Sequence, residues 1–297
     1  MGFVERLATG ETLLADGAMG TMLQAAGLER GHAPEEMNLT QPDEVLAVHR
    51  GYVDAGSEII LTNTFGANRF RLGKYGLADS IYEISRRASE IAREAGASFV
   101  AGSIGPTGEL FAPLGTLSPE DARETFAEQT KGLADGGADL LVIETMSDLQ
   151  EVEAAVQAAR EHTDLPLLCT MTFQQRLHTV MGVSPKEAAE TLSGWGVTAM
   201  GANCGTGPQE VEQVLAQMRE AVPDAVLVAK PNAGVPRLVE GRTEFNATPE
   251  LMADHALRFA QAGVTVIGAC CGSTPEHILA MARALGKSPM PQVMPSR

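Results

Sequence analysis

Eight short apolar runs recur along the chain, each followed by a polar or glycine-rich break and then a longer amphipathic stretch. They are TLLAD near Leu13, EIILTNTF near Ile59, FVAGSIG near Val100, DLLVIET near Leu141, LPLLCTMTF near Leu167, VTAMGANCG near Met200, AVLVAKPN near Val226 and VTVIGACCG near Val266. A repeated β-then-α unit is the pattern of a parallel sheet. Most runs are apolar without alternation, as strands buried on both faces must be. Eight such units in 297 residues, somewhat above the roughly 250 typical of the architecture, predict an α/β fold of a single domain, a closed (β/α)8 TIM barrel. A doubly wound open sheet is the other arrangement of the same units. The barrel is expected over residues 1–286, with 287–297 as a C-terminal tail.

Four of the intervening stretches announce their helix starts: LSPEDARETF from Ser118, VSPKEAAETL from Ser184, ATPELMADHALRFA from Thr248 and STPEHILAMARAL from Thr274. In each, a hydroxyl can cap free N–H groups, Pro occupies the first helical position and Glu lies at the positive end of the helix dipole.

Composition narrows the function. Thirty-eight acidic against 22 basic side chains give a formal charge of −16, which repels phosphate backbones and anionic lipid and argues against a nucleic-acid or membrane partner. The four cysteines are too few for a disulfide-framed secreted scaffold, and no signal peptide or membrane-length apolar run is visible. A soluble cytoplasmic protein is expected.

A barrel carries its active site at the C-terminal ends of its strands. Those positions are polar here: Asp16, Asn63 with Thr64, Ser103, Glu144, Thr172, Asn203 with Cys204, Asn232, and Cys270 with Cys271. Three of the four cysteines thus fall at the sixth and eighth strand ends, with one strand between them. Three thiolates without a fourth protein ligand would leave a zinc ion one open position, as a catalytic zinc requires. Such a soft centre suits another sulfur. The other reading is a small buried Cys204 and a Cys270–Cys271 pair that is core or a vicinal disulfide. Cys169 lies before its strand end and reads as a buried thiol. The six histidines show no metal-ligand spacing and read as surface or supporting residues.

Glu144 and Asp16 could hold an ammonium group, and the turn DGAMGT could offer the amides of Gly17, Ala18 and Met19 to a carboxylate. Against this, Asp-Gly is most often only a turn, and ETMSDLQE can be read as Ser147 capping a helix.

At these residues the sequence resembles the homocysteine S-methyltransferase family, whose members share a zinc-bearing (β/α)8 barrel. The resemblance runs from LLADGAMGTMLQ through NLTQPDEVLAVHRGYVDAGSEIILTNTFGANRFRL, AGSIGPTG, ADLLVIETMSDLQEVEAAV, GANCGTGP and PNAGVP to GACCGSTPEHI. Ala269 stands where the family often has glycine. The resemblance implies Cys204, Cys270 and Cys271 as zinc ligands, and Asp16, the amides of Gly17, Ala18 and Met19, and Glu144 around the homocysteine amino-acid group, with Asn203 shaping the ligand loop. NTFGANRFRL and PNAGVPRLVEG are similar to the homocysteine-binding module of cobalamin-dependent methionine synthases. The chain stops soon after the eighth helix, with no room for that enzyme's folate, corrinoid and reactivation modules. The resemblance therefore implies a methyl donor that is either a methylcorrinoid on a separate protein or a small onium such as S-methylmethionine or betaine. A different small thiol acceptor, a demethylating catabolic enzyme, and a zinc or thiol binder without turnover are the other readings.

Overall fold

All eight apolar runs become strands, and the reason is visible in where their side chains go. The computed structural model describes residues 1–28, 31–239 and 242–287. The strands are β1 (Leu13–Leu14), β2 (Ile59–Leu61), β3 (Phe99–Ile104), β4 (Leu140–Met146), β5 (Leu167–Met171), β6 (Ala199–Cys204), β7 (Leu227–Pro231) and, after an antiparallel hairpin of β8 (Arg237–Val239) and β9 (Arg242–Glu244), β10 (Val266–Ile267). Barrel neighbours are parallel, in the order β1-β10-β7-β6-β5-β4-β3-β2. The circle closes between β1 and β2: Ala15 bridges Ile59, and the Glu58 N–H donates to Leu14 O at 2.7 Å. Closure makes the open-sheet alternative untenable.

Successive residues of each strand face opposite ways, so a strand enclosed on both sides must be apolar throughout. In β4, Leu140 and Val142 join the group inside the barrel, whereas Leu141 and Ile143 pack outward under the helices. The interior group also contains Phe3 and Leu7 of the helix Phe3–Ala8, and the Phe3 ring meets Phe99 edge-on at 5.3 Å. This helix plugs the N-terminal end of the barrel and leaves the opposite end open for chemistry.

The expected helix starts are present. Ser118, Ser184 and Thr248 each accept the N–H three residues on, ahead of helices Pro119–Asp135, Pro185–Gly194 and Pro249–Gln261. Before helix Pro275–Ala284 the arrangement is reversed: His277 Nδ1 accepts the Thr274 N–H at 3.1 Å, and its Nε2 donates to Ala247 O at 3.0 Å. His277 is thus a cap and a tie between helices. After β4 the cap is Asp148, not Ser147, because the Asp148 carboxylate accepts the Gln150 N–H at 2.9 Å. Beyond Lys287 the expected tail lies outside the described residues.

Candidate active site

The candidate site residues are brought to one rim by the C-terminal ends of the strands. They surround a cavity of about 280 Å³, the size of a small amino acid with room for a second reactant. Asp16, Gly17, Ala18, Met19, Glu144, Cys204, Cys270 and Cys271 all line it.

Cys204 ends β6 with φ 56, in the left-handed region, and Gly205 follows at φ 71. A non-glycine residue there is held against its preference, a cost of about 1–3 kcal/mol that persists only where the surroundings enforce it. Cys270 and Cys271 follow β10 in a loop tied on two sides. Ala269 N–H donates to Asp16 O at 3.0 Å and Cys270 N–H to Pro231 O at 2.7 Å, while Ala233 N–H reaches Cys271 O at 3.0 Å. Gly272 turns this loop at φ 79 against the Phe245 ring, which lies 2.2 Å from where a β-carbon would stand.

The three sulfurs lie within 4.8 Å of one another. Cys204 Sγ is 2.9 Å from Cys270 Sγ, which is 4.0 Å from Cys271 Sγ. Thiolates bound to one tetrahedral zinc at ~2.3 Å stand about 3.8 Å apart. The Cys270–Cys271 separation matches that value and the Cys204–Cys270 separation is shorter, so these two sulfurs would move apart if the three thiols held one ion. S–H donation from Cys204 and Cys270 lowers the Cys271 thiol below its ordinary value, whereas donating to its two neighbours pushes Cys204 up.

Beside the thiols stand two carboxylates in different circumstances. Asp16 has both oxygens engaged: Oδ1 is 2.7 Å from Lys230 Nζ, and Oδ2 accepts the Leu61 N–H at 2.7 Å. The Asp16 carboxylate, expected to meet a ligand ammonium, meets the ammonium of Lys230, a buried side chain of β7. Burial alone would lower the Lys230 pKa, but the facing Asp16 and Glu144 carboxylates outweigh it and raise it. Glu144 is freer. It accepts from Ser103 Oγ at 2.5 Å on one oxygen, and its other oxygen is 3.5 Å from Asn203 Nδ2. Burial pushes its pKa up to about 7, against the pull of Lys230.

The amides expected to receive a carboxylate divide similarly. Ala18 N–H donates to Ser273 Oγ at 3.0 Å, so it is not available. Those of Gly17 and Met19 have no protein acceptor among the described residues. Tyr52 secures the turn by donating to Ala18 O at 2.7 Å, and a β-carbon on Gly17 would come within 2.4 Å of Ser273 Oγ. Asn203 does not line the cavity. Buried behind it, Asn203 accepts from Thr145 N–H and Thr170 Oγ1, both at 2.8 Å, and donates to Thr145 Oγ1 at 2.6 Å.

Lys230, Glu35, Ser273 and Tyr52 escaped sequence reading. The signal for Lys230 was present: a lone charge within AVLVAKPN, a run otherwise fit for complete burial. Thr172 and Asn232, also at strand ends, do not reach the cavity, and Asn232 Nδ2 instead donates to Gly205 O at 2.9 Å, fixing the loop after Cys204. Cys169 is buried in β5 and raised to about 12 by that burial.

A closed parallel barrel with three converging thiols beside an amino-acid-sized, carboxylate-bearing cavity defines a class: barrel proteins whose strand-end rim could hold a soft metal ion next to a small polar ligand. The family model described as Homocysteine S-methyltransferase matches residues 13–285, and the chain belongs to that family. It is 35% identical to a methionine synthase of Mycobacterium tuberculosis over 94% of this chain and 25% of the relative, and 34% identical to that of Mycobacterium leprae over 93% and 24%. The chain thus spans about a quarter of the length of these curated relatives. Among solved structures it is similar to the metallated homocysteine methyltransferase MmuM of Escherichia coli, with 25% identity, a TM-score of 0.79, and coverage of 94% of this chain and 98% of the other. No helix among the described residues is long and apolar enough to cross a membrane.

Proposed function

We propose that this barrel is a zinc-dependent methyltransferase that methylates the sulfur of homocysteine to give methionine. The observation that carries the reading is the convergence of Cys204, Cys270 and Cys271 next to Glu144 and the Gly17 and Met19 amides. Thiol chemistry and amino-acid recognition thereby meet in one cavity.

A zinc ion held by the three cysteines supplies the Lewis acidity that keeps a substrate thiol in its nucleophilic thiolate form at neutral pH. Glu144 receives the substrate ammonium, and the Gly17 and Met19 N–H groups receive its carboxylate. Lys230, bound to Asp16, balances the buried negative charge without contributing to the reaction. The thiol proton leaves for solvent on binding, so affinity rises with pH. The homocysteine sulfur then uses a lone pair to bond the donor methyl carbon, and the electron pair of the broken methyl bond departs with the donor. The barrel wall holds the reactants in line and excludes water.

The donor is a methylcorrinoid carried on a separate protein or a small onium compound of the S-methylmethionine or betaine type. The test is methionine formation by zinc-loaded protein with homocysteine and, in turn, methylcobalamin, a methylated corrinoid protein, betaine and S-methylmethionine. If none gives methionine while another small thiol is methylated, homocysteine is the wrong acceptor. Tight homocysteine binding with no transfer from any donor makes the protein a binder.

A further inference from the structure

A second cavity, of about 350 Å³, opens beside the first and shares Pro34, Glu35 and Phe65 with it. Arg71, from the short helix Arg69–Leu72 that follows β2, lines this second space. Its guanidinium is held from behind. Nε donates to Pro106 O at 2.8 Å, and the guanidinium carbon lies 5.3 Å from the centre of the Phe65 ring. Gly108, at φ 83, packs against the guanidinium, with Nε and Nη2 3.6 Å from where its β-carbon would stand.

Among the described residues, neither Nη group makes a hydrogen bond, and no carboxylate lies within 4.0 Å of either. The neighbouring cations on the same segment are paired, Arg69 with Glu124 at 3.6 Å and Lys74 with Glu109 at 3.5 Å. Two buried carboxylates, Glu35 and Glu151, lie near Arg71 beyond 4.0 Å and feel its charge, and each has one oxygen bound by the backbone or hydroxyl groups of its neighbours. Glu35 accepts the Gly66 N–H at 2.6 Å, and Glu151 accepts both the N–H and the hydroxyl of Thr107, at 2.7 and 2.5 Å. In a chain with 38 acidic side chains, a half-buried, fixed and unpaired guanidinium beside the reaction chamber is conspicuous.

A guanidinium with its outer N–H fork open to a cavity is suited to a carboxylate, which it takes in two parallel charge-assisted hydrogen bonds. The shared wall has the opposite preference: the Phe65 ring and the Glu35 carboxylate favour positive charge. We infer that the second cavity receives the carboxylate end of a small zwitterionic methyl donor on Arg71, while its methyl-bearing onium end passes Phe65 and Glu35 toward the three thiols. This rests on the methyltransferase reading and selects a small onium over a protein-borne corrinoid.

The test compares dimethylsulfonioacetate with trimethylsulfonium, which carries a sulfonium methyl but no carboxylate, by calorimetric binding and by methyl-transfer kinetics on the zinc-loaded full chain. Arg71→Met should weaken dimethylsulfonioacetate binding and raise its KM about tenfold or more, leaving kcat within about twofold and the KM for homocysteine unchanged. Arg71→Lys should recover part of the loss, and trimethylsulfonium should behave alike in all three proteins. Equal effects on both sulfonium compounds, or no effect on either, overturns the inference. So does failure of the unsubstituted protein to bind dimethylsulfonioacetate; methionine formation from methylcobalamin would then leave the methyltransferase reading standing alone. Arg71-dependent binding with no methyl transfer from any donor supports the carboxylate subsite and overturns the methyltransferase reading.

Discussion

Asn203 accepts the Thr145 N–H at 2.8 Å and donates to the same residue's hydroxyl at 2.6 Å, so one carboxamide from β6 clamps a residue of β4 with φ 61. A β-branched residue in the left-handed region needs such a clamp. Glu144 is the residue before it, so the clamp also sets where the freer carboxylate points.

Asn203→Ala should therefore cost about 1–3 kcal/mol of stability in urea unfolding, since buried partners lose their hydrogen bonds. It should also raise the KM for homocysteine more than it lowers kcat if Glu144 binds the substrate ammonium as proposed. An unchanged KM would show that Glu144 holds its position without Asn203.

Lys230 and Asp16 form a buried pair at 2.7 Å with side chains 5% and 3% exposed. Removing one partner strands a buried charge, so Lys230→Met should destabilise the fold by about 3–5 kcal/mol. The double variant Lys230→Met, Asp16→Asn should recover much of that loss by removing the stranded carboxylate. Additive losses in chemical denaturation would contradict the pairing.

Cys204→Ala should lower zinc affinity at least tenfold, because only two of three thiols remain, while Cys169→Ala should leave it unchanged. Metal content after dialysis against a competing chelator distinguishes the two. Equal loss in both variants would remove the special position of the rim cysteines.

Burial raises Glu144 to about 7 in the folded chain, so the folded state binds its proton more tightly than the unfolded state does. Its contribution to stability is fully present below the unfolded-state pKa, near 4.5, and is lost as pH rises through about 7. Each unit of displacement corresponds to about 1.4 kcal/mol. Metal-free Glu144→Gln should consequently lose less stability than the unsubstituted protein between pH 5 and 8 (roughly that window by linkage). Parallel pH profiles would place the titration elsewhere.

Much of the site was legible before folding because a barrel converts sequence position into spatial position. The last residues of each apolar run must come to one rim, so Cys204, Cys270, Cys271, Asp16 and Glu144 could be gathered from the strand ends alone. Asn203 could not be assigned correctly from that rule. It ends a strand like the others, but adjacent strand residues alternate in direction, and its side chain turns toward β4 and β5 rather than into the cavity.

By itself, the sequence determined the eight β-then-α units, their two-sided burial, most helix caps and the three-cysteine rim, since all of these follow from local periodicity and capping chemistry. Only the tertiary structure decided which polar groups remain free for a ligand. Asp16 is occupied by Lys230 and Ala18 N–H by Ser273, pairings that span 214 and 255 residues of chain. Glu144 and the outer face of Arg71 are left open. The physical reason is that a hydrogen-bonding group has few partners to give, and closure of the barrel determines which distant residue arrives to take them.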